Sequence, residues 1–206
     1  MTSRIVAAAA LAASFAVMSV SAQAQQAQNV RVRGTVEKLD GNLLTVKSRD
    51  GSELKLKLKD NATVRGVVKA SLADVKSGSN VAITSRPRPD GTLQAVELRI
   101  FPPGPFNTFH RDWDLMPNSF MTNGNLETSI AGVDGQVLTV QYKAGDKTDE
   151  KKIVVTPQTI IATTVAASKA DLKPGLHVFV AGAPKLPDGS LDVGNIQVEK
   201  EIPPPQ

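Results

Sequence analysis

Two near-identical phrases constrain this chain more than anything else in it. "SLADVKSGSNV" fills residues 71–81, and "SKADLKPGLHV" fills residues 168–178, 97 positions later. Each lies between runs that alternate aliphatic and polar residues, the two-residue period of a half-buried strand. A phrase repeated between similar neighbours predicts two copies of one structural unit. The match extends outward. "VRVRGTVEKLDGNLLTV" (30–46) corresponds to "LETSIAGVDGQVLTV" (126–140) through Asp40-Gly41 and Asp134-Gly135, 94 apart. "RPDGTL" and "LPDGSL" correspond through Asp90 and Asp188, 98 apart. The offset grows at turns, around "KAGDKTDEKK" (143–152) and before the second Pro-Asp-Gly, where added residues disturb no core.

Each copy reads as five strands. Val30, Val32 and Val36 alternate with Arg31, Arg33 and Thr35, and Leu54, Leu56 and Leu58 alternate with Lys55, Lys57 and Lys59. Neither pattern fits a helix. Inside the repeated phrase, Ser71 is expected to cap a short helix with Asp74 near its N-terminal end, and Gly78 to supply the exit. Ser168, Asp171 and Pro174-Gly175 serve the second copy in the same way. The predicted fold is therefore all-β: two tandem OB-like five-stranded small barrels, each with a short helix between strands three and four. A pair of open five-stranded sheets or a sandwich is the plainer alternative. Two barrels of about seventy residues gain stability by packing together, since units that small bury little core alone.

The expected division is a signal peptide at 1–24, a first β-domain at 25–100, an aromatic and Pro-rich connector at 101–124, a second β-domain at 125–200 and a flexible Pro-rich tail at 201–206. The leader assignment rests on Arg4, an apolar run at 5–20 and the small-residue site Ala22-Gln23-Ala24. It implies export to the periplasm. No other stretch approaches the roughly 20 apolar residues of a membrane span, so none is expected in the mature protein. The connector holds Trp113 and four of the six Phe, too much apolar surface to hang free, and is expected to lie over one or both barrels.

Cysteine is absent, which excludes disulfides, thiolate metal sites and a cysteine nucleophile. Aromatics make up 4% of residues, so the core is expected to be aliphatic. Charge divides unevenly: 25–100 carries +6 and 101–206 carries −3. A basic half on an exported protein suggests an anionic envelope polymer or an envelope protein as partner, and nucleic acid is not expected. The candidate ligand face is the outward side of the first barrel, with Arg31, Arg33, Lys47, Lys55, Lys57 and Lys59. The candidate metal site is His110, Asp112 and Asp114, which alternate in the connector and would meet on one side of an extended segment. The chain has two histidines and none of the familiar nucleophile, metalloprotease or phosphate-loop motifs, so no enzyme and no cofactor are expected.

Four strings, "VRVRGTVEKLDGNLLTVKSRDG", "VVKASLADVKSG", "WDLMPNSFMTN" and "VDGQVLTV", resemble a family of small exported proteobacterial proteins, mostly from rhizobia and relatives. The resemblance covers almost the whole chain after the leader. It implies a duplicated OB-like domain of unknown function and carries over no catalytic residues. Members of that family commonly bear the label metal ABC transporter permease, which conflicts with the lack of a span beyond the leader. Two functions follow as expectations: a periplasmic binding or scaffolding protein for anionic envelope ligands or a protein partner, or a periplasmic metal-binding accessory that is not itself a permease.

Overall fold

In the computed structural model residues 29–205 are described, and the expected signal peptide at 1–24 lies outside them. These residues form twelve strands and no α-helix. The strands are β1 (Asn29–Asp40), β2 (Leu43–Ser48), β3 (Glu53–Lys69), β4 (Asn80–Pro87), β5 (Leu93–Phe101), β6 (Phe109–Trp113), β7 (Ser119–Gly132), β8 (Gly135–Ala144), β9 (Lys147–Val155), β10 (Ile160–Ala167), β11 (His177–Pro184) and β12 (Leu191–Glu199). The short helices expected in the repeated phrases are each a single 3-10 turn, Leu72–Asp74 and Lys169–Asp171. Ser71 and Ser168 stand at the N-cap of these turns, each in a capping box with the aspartate three residues on. The Asp74 carboxylate reaches back to accept the Ser71 N–H at 2.8 Å and its hydroxyl at 2.9 Å, and Asp171 does the same for Ser168 at 2.8 and 3.0 Å.

Local chemistry explains the turns. In three of them an aspartate Oδ1 accepts the N–H (3.0 Å) and hydroxyl (2.6 Å) two residues on, in Asp50–Ser52, Asp90–Thr92 and Asp188–Ser190. The glycine between takes φ of 87°, 81° and 83°, a conformation costly for any residue with a Cβ.

The pairing does not follow the expected division of the chain. β12, β11, β1, β2 and β3 run side by side, and a parallel β12–β3 ladder closes them into a five-stranded barrel. Three of its strands precede the connector and two follow it. Beyond β3 the order continues β10, β5, β4, β7, β8, β9, with β6 beside β7, and β5 runs parallel to β10 and also meets β9 in parallel over Leu93–Ile153 and Gln94–Val154. The long β3 serves two ladders at once: residues 63–67 continue the barrel-closing pairing with β12, while the last six residues of the strand pair along the other edge with β10.

Each set of strands surrounds its own aliphatic core. Val32, Val36, Leu44, Leu56, Val178 and Ile196 are buried in one, and Val81, Ile83, Leu98, Leu138, Val140 and Ile153 in the other. The residue after each 3-10 turn enters a core that both halves build: Leu172 joins the first cluster and Val75 the second. The backbone is exchanged in the same way. Val36 and the loop at Gly175 and Leu176 trade hydrogen bonds of 2.8 and 2.9 Å, and Leu126 trades bonds of 2.7 and 2.9 Å with Gly78 and Ser79.

Val36 and Leu126 occupy matching positions, each just before a β-bulge, and lie 90 residues apart, not 94. The β7–β8 hairpin is longer than β1–β2 by four residues, and everything from 127 to 134 is exposed. Nor does the tail hang free, as expected for 201–206: Lys200 and Glu201 N–H groups reach Val67 O at 3.2 and 3.1 Å, and Pro204 and Pro205 are buried.

Candidate functional site

The six cations expected to form one basic face are divided between two environments. Arg31 is half-buried and Arg33 buried. The connector runs as β6 along β7 and ends against β1, bringing the Trp113 ring to 3.9 Å from Arg31 Cζ and 5.5 Å from Arg33 Cζ. The Asp114 carboxylate sits between the two guanidinium groups, 2.8 Å from Arg31 Nη1 and 2.9 Å from Arg33 Nη2. Partial burial pushes this carboxyl up, but hydrogen bonds from Arg33 and Arg31, with their charges, outweigh it and hold its pKa at about 2.

The lysines point outward as expected, but the other half of the chain neutralises part of the row. Because β12 lies beside β3, Asp188 takes Lys57 at 2.6 Å and Asp192 takes Lys59 at 3.1 Å. The Lys57 ammonium, then Ser190, hold Asp188 well below the usual carboxylate range. Lys47 lies opposite Glu53 and Lys55 opposite Thr45, and neither lysine makes an ion pair among the described residues. What remains is a strand face of mixed charge, with Lys57 and Lys59 paired to acids of the other half.

The proposed metal trio is not brought together. His110 Nδ1 lies 2.9 Å from Thr122 Oγ1, and its ring stacks on Phe120 with centroids 5.3 Å apart. Burial, then Lys151, push the imidazole toward its neutral form. Asp112 is exposed opposite Phe120, and Asp114 is held by the arginines. Alternation fails here because β6 stops at Trp113, so Asp114 has already left the strand. Among the described residues no group of three His, Asp or Glu side chains is placed to hold a metal ion. No helix among them is long and apolar enough to cross a membrane.

The feature that sequence reasoning missed is a cleft of about 370 Å³ where β4, β5, β6 and β7 face β11 and β12. Phe101, Phe106, Phe109, Trp113 and Phe179 all line it. Phe101 and Phe106 meet at 5.1 Å between centroids, and Arg111 Cζ lies 4.2 Å over the Phe109 ring. Arg99 is the buried cation of the wall, paired with Glu97 from its own strand and donating to Gln197 Oε1 at 3.2 Å. Burial pushes the Glu97 carboxyl up and the Arg99 guanidinium down, against their mutual attraction. The Arg99 Nε and Trp113 Nε1 donors are buried without a hydrogen-bond partner. Such donors are uncommon in folded proteins and suit a ligand with acceptor atoms. The available signal was the concentration of Phe and Trp in 101–124, but Arg99 and Phe179 come from strands whose meeting no local pattern announces. No family model, no curated protein and no solved structure matches this chain.

Proposed function

We propose that the chain is an exported, non-enzymatic binding protein, built of two duplicated OB-like barrels that have exchanged their last two strands, which holds a small anionic ligand with a flat apolar body in the cleft between them. One observation carries the ligand reading. Of the seven aromatic side chains after residue 28, five line this cleft, while neither aliphatic core cluster holds one. A chain that needed aromatics only for burial would place some in its cores. Rings on several sides suit a planar body, and Arg111 at the exposed rim, beside the buried Arg99, suits a carboxylate or phosphate. The volume falls in the range that small-molecule sites occupy. The barrel reading is supported by strand order: a three-strand meander, then a fifth strand parallel to the third and a fourth antiparallel to the first.

The chain's one Trp lines the cleft, so its fluorescence reports on this site. Residues 25–206 are titrated with 2-naphthoate and phenyl phosphate, and with acetate and inorganic phosphate as ring-free controls. The aromatic anions are expected to change Trp113 emission saturably, and Arg111→Glu to weaken them about tenfold, or about 1.4 kcal/mol. An emission unmoved by either aromatic anion, with polyanion binding that disappears on charge reversal of Lys55, Lys57 and Lys59, would return the ligand to the lysine face.

A further inference from the structure

We propose that the pocket bounded by Arg31, Arg33 and Arg49 is a second anion site, shaped for a phosphate or carboxylate group, which the chain's own Asp114 fills as a displaceable internal ligand. The pocket is an open hollow of about 390 Å³ whose walls also include Ser48 and Asp50. It holds three arginines against two carboxylates, and Asp50 is already committed to Ser52. Arg33 is the key residue. Its side chain is only 6% exposed, and a guanidinium buried that far needs an anion beside it.

Asp114 supplies that anion incompletely. Each carboxylate oxygen takes one Nη group, while the Nε atoms of Arg31 and Arg33 stay buried with no hydrogen-bond partner among the described residues. The site offers more donors than one carboxylate uses, and a phosphate brings more acceptor oxygens. Arg49 stands at the rim with a single long contact, 3.5 Å to Leu115 O, and is free to turn toward a larger anion.

Asp114 is also built to leave. Its side chain is 53% exposed, and it stands at the start of the β6–β7 loop, which is fastened without it. Ser119 Oγ lies 2.8 Å from the Met116 carbonyl oxygen and 2.9 Å from that of Trp113, its one proton shared between them, and Asn118 makes the turn with φ of 55°. Displacing the carboxylate breaks two ion pairs and leaves these loop bonds in place. An external anion therefore competes with Asp114 for the arginines without unfolding the connector.

The test compares full-length mature protein with Asp114→Asn and Asp114→Ala by calorimetric titration and thermal unfolding. The probes are inorganic phosphate and sodium acetate, with sodium chloride at matched ionic strength. Both variants are expected to bind phosphate or acetate at least tenfold more tightly than the parent, and the bound anion to raise their lowered Tm toward the parental value. The stronger of the two probes identifies the oxyanion class. Adding Arg49→Ala to Asp114→Asn is expected to weaken that binding severalfold, while Arg111→Glu in the neighbouring cleft leaves it unchanged. If Asp114→Asn folds and binds neither anion more tightly than the parent, the proposal is wrong. It is equally wrong if chloride restores Tm as well as phosphate and acetate do. Asp114→Asn keeps the shape of the side chain, so the experiment holds even where the alanine variant fails to fold.

Discussion

Gly34 and Gly124 mark the points where neighbouring backbones come closest. A Cβ on Gly34 would fall on the Lys47 carbonyl oxygen and lie 2.8 Å from Val46 Cγ1; on Gly124 it would fall on the Gln141 carbonyl and lie 2.6 Å from Val140 Cγ1. Neither glycine has positive φ, so the requirement is for space and not for backbone freedom. Gly34→Ala and Gly124→Ala are each expected to destabilise by about 2–3 kcal/mol in chemical denaturation, because backbone oxygen cannot move aside as a side chain can. A change below the range of surface substitutions would show that the strands separate freely there. The arginines teach a related lesson. Alternation correctly sets Val32 and Val36 in the core with Arg31 and Arg33 on the other side of β1. It says nothing about what lies against that side, because Trp113 and Asp114 arrive from about eighty residues away.

At the scale of elements, period and turn chemistry announced most of the strands, since alternation and Asp-Gly turns are local properties. They misplaced the start of the second half. Asp40-Gly41 and Asp134-Gly135 look equivalent, yet the hairpin arms leading to them differ in length, and the equivalence of Val36 with Leu126 appears only in the bulges and the loops bonded to them. The added length projects Ile130 and Val133 into solvent, 61% and 103% exposed. Ile130→Ser together with Val133→Ser is therefore expected to leave stability within about 0.5 kcal/mol of the parent in thermal or chemical denaturation. A larger loss would mean that the tip packs on something in solution. The 3-10 turns show a similar limit. A Ser-x-x-Asp phrase signals a helix start, but three residues and an immediate extended exit allow only one turn.

At the scale of the whole molecule, the two halves are interlocked. β1 pairs with β11, β3 with β12 and β10, and β5 with β9 and β10, and each of these ladders joins a strand before the connector to one after it, while β4 pairs with the stretch of β7 that ends the connector. A chain cut between the halves is expected to stay together. With a specific protease site placed at exposed Gly104, the nicked protein should elute as one species of the parental size in size-exclusion chromatography and fall apart only in denaturant. Separation of the pieces in plain buffer would contradict the exchange. What the sequence by itself determined is everything set by neighbours along the chain: strand periods, the Asp-Gly turns, an aliphatic core without cysteine, and the outward direction of the lysines. The tertiary structure alone decided which strands of the two halves lie side by side, that Asp188 and Asp192 would meet Lys57 and Lys59, and that the aromatics would gather in a cleft. A strand of either half presents the same alternating face to any partner. Only the long-range ladders select among them, β3 with β12 on one edge and with β10 on the other, and those contacts join residues roughly a hundred positions apart or more.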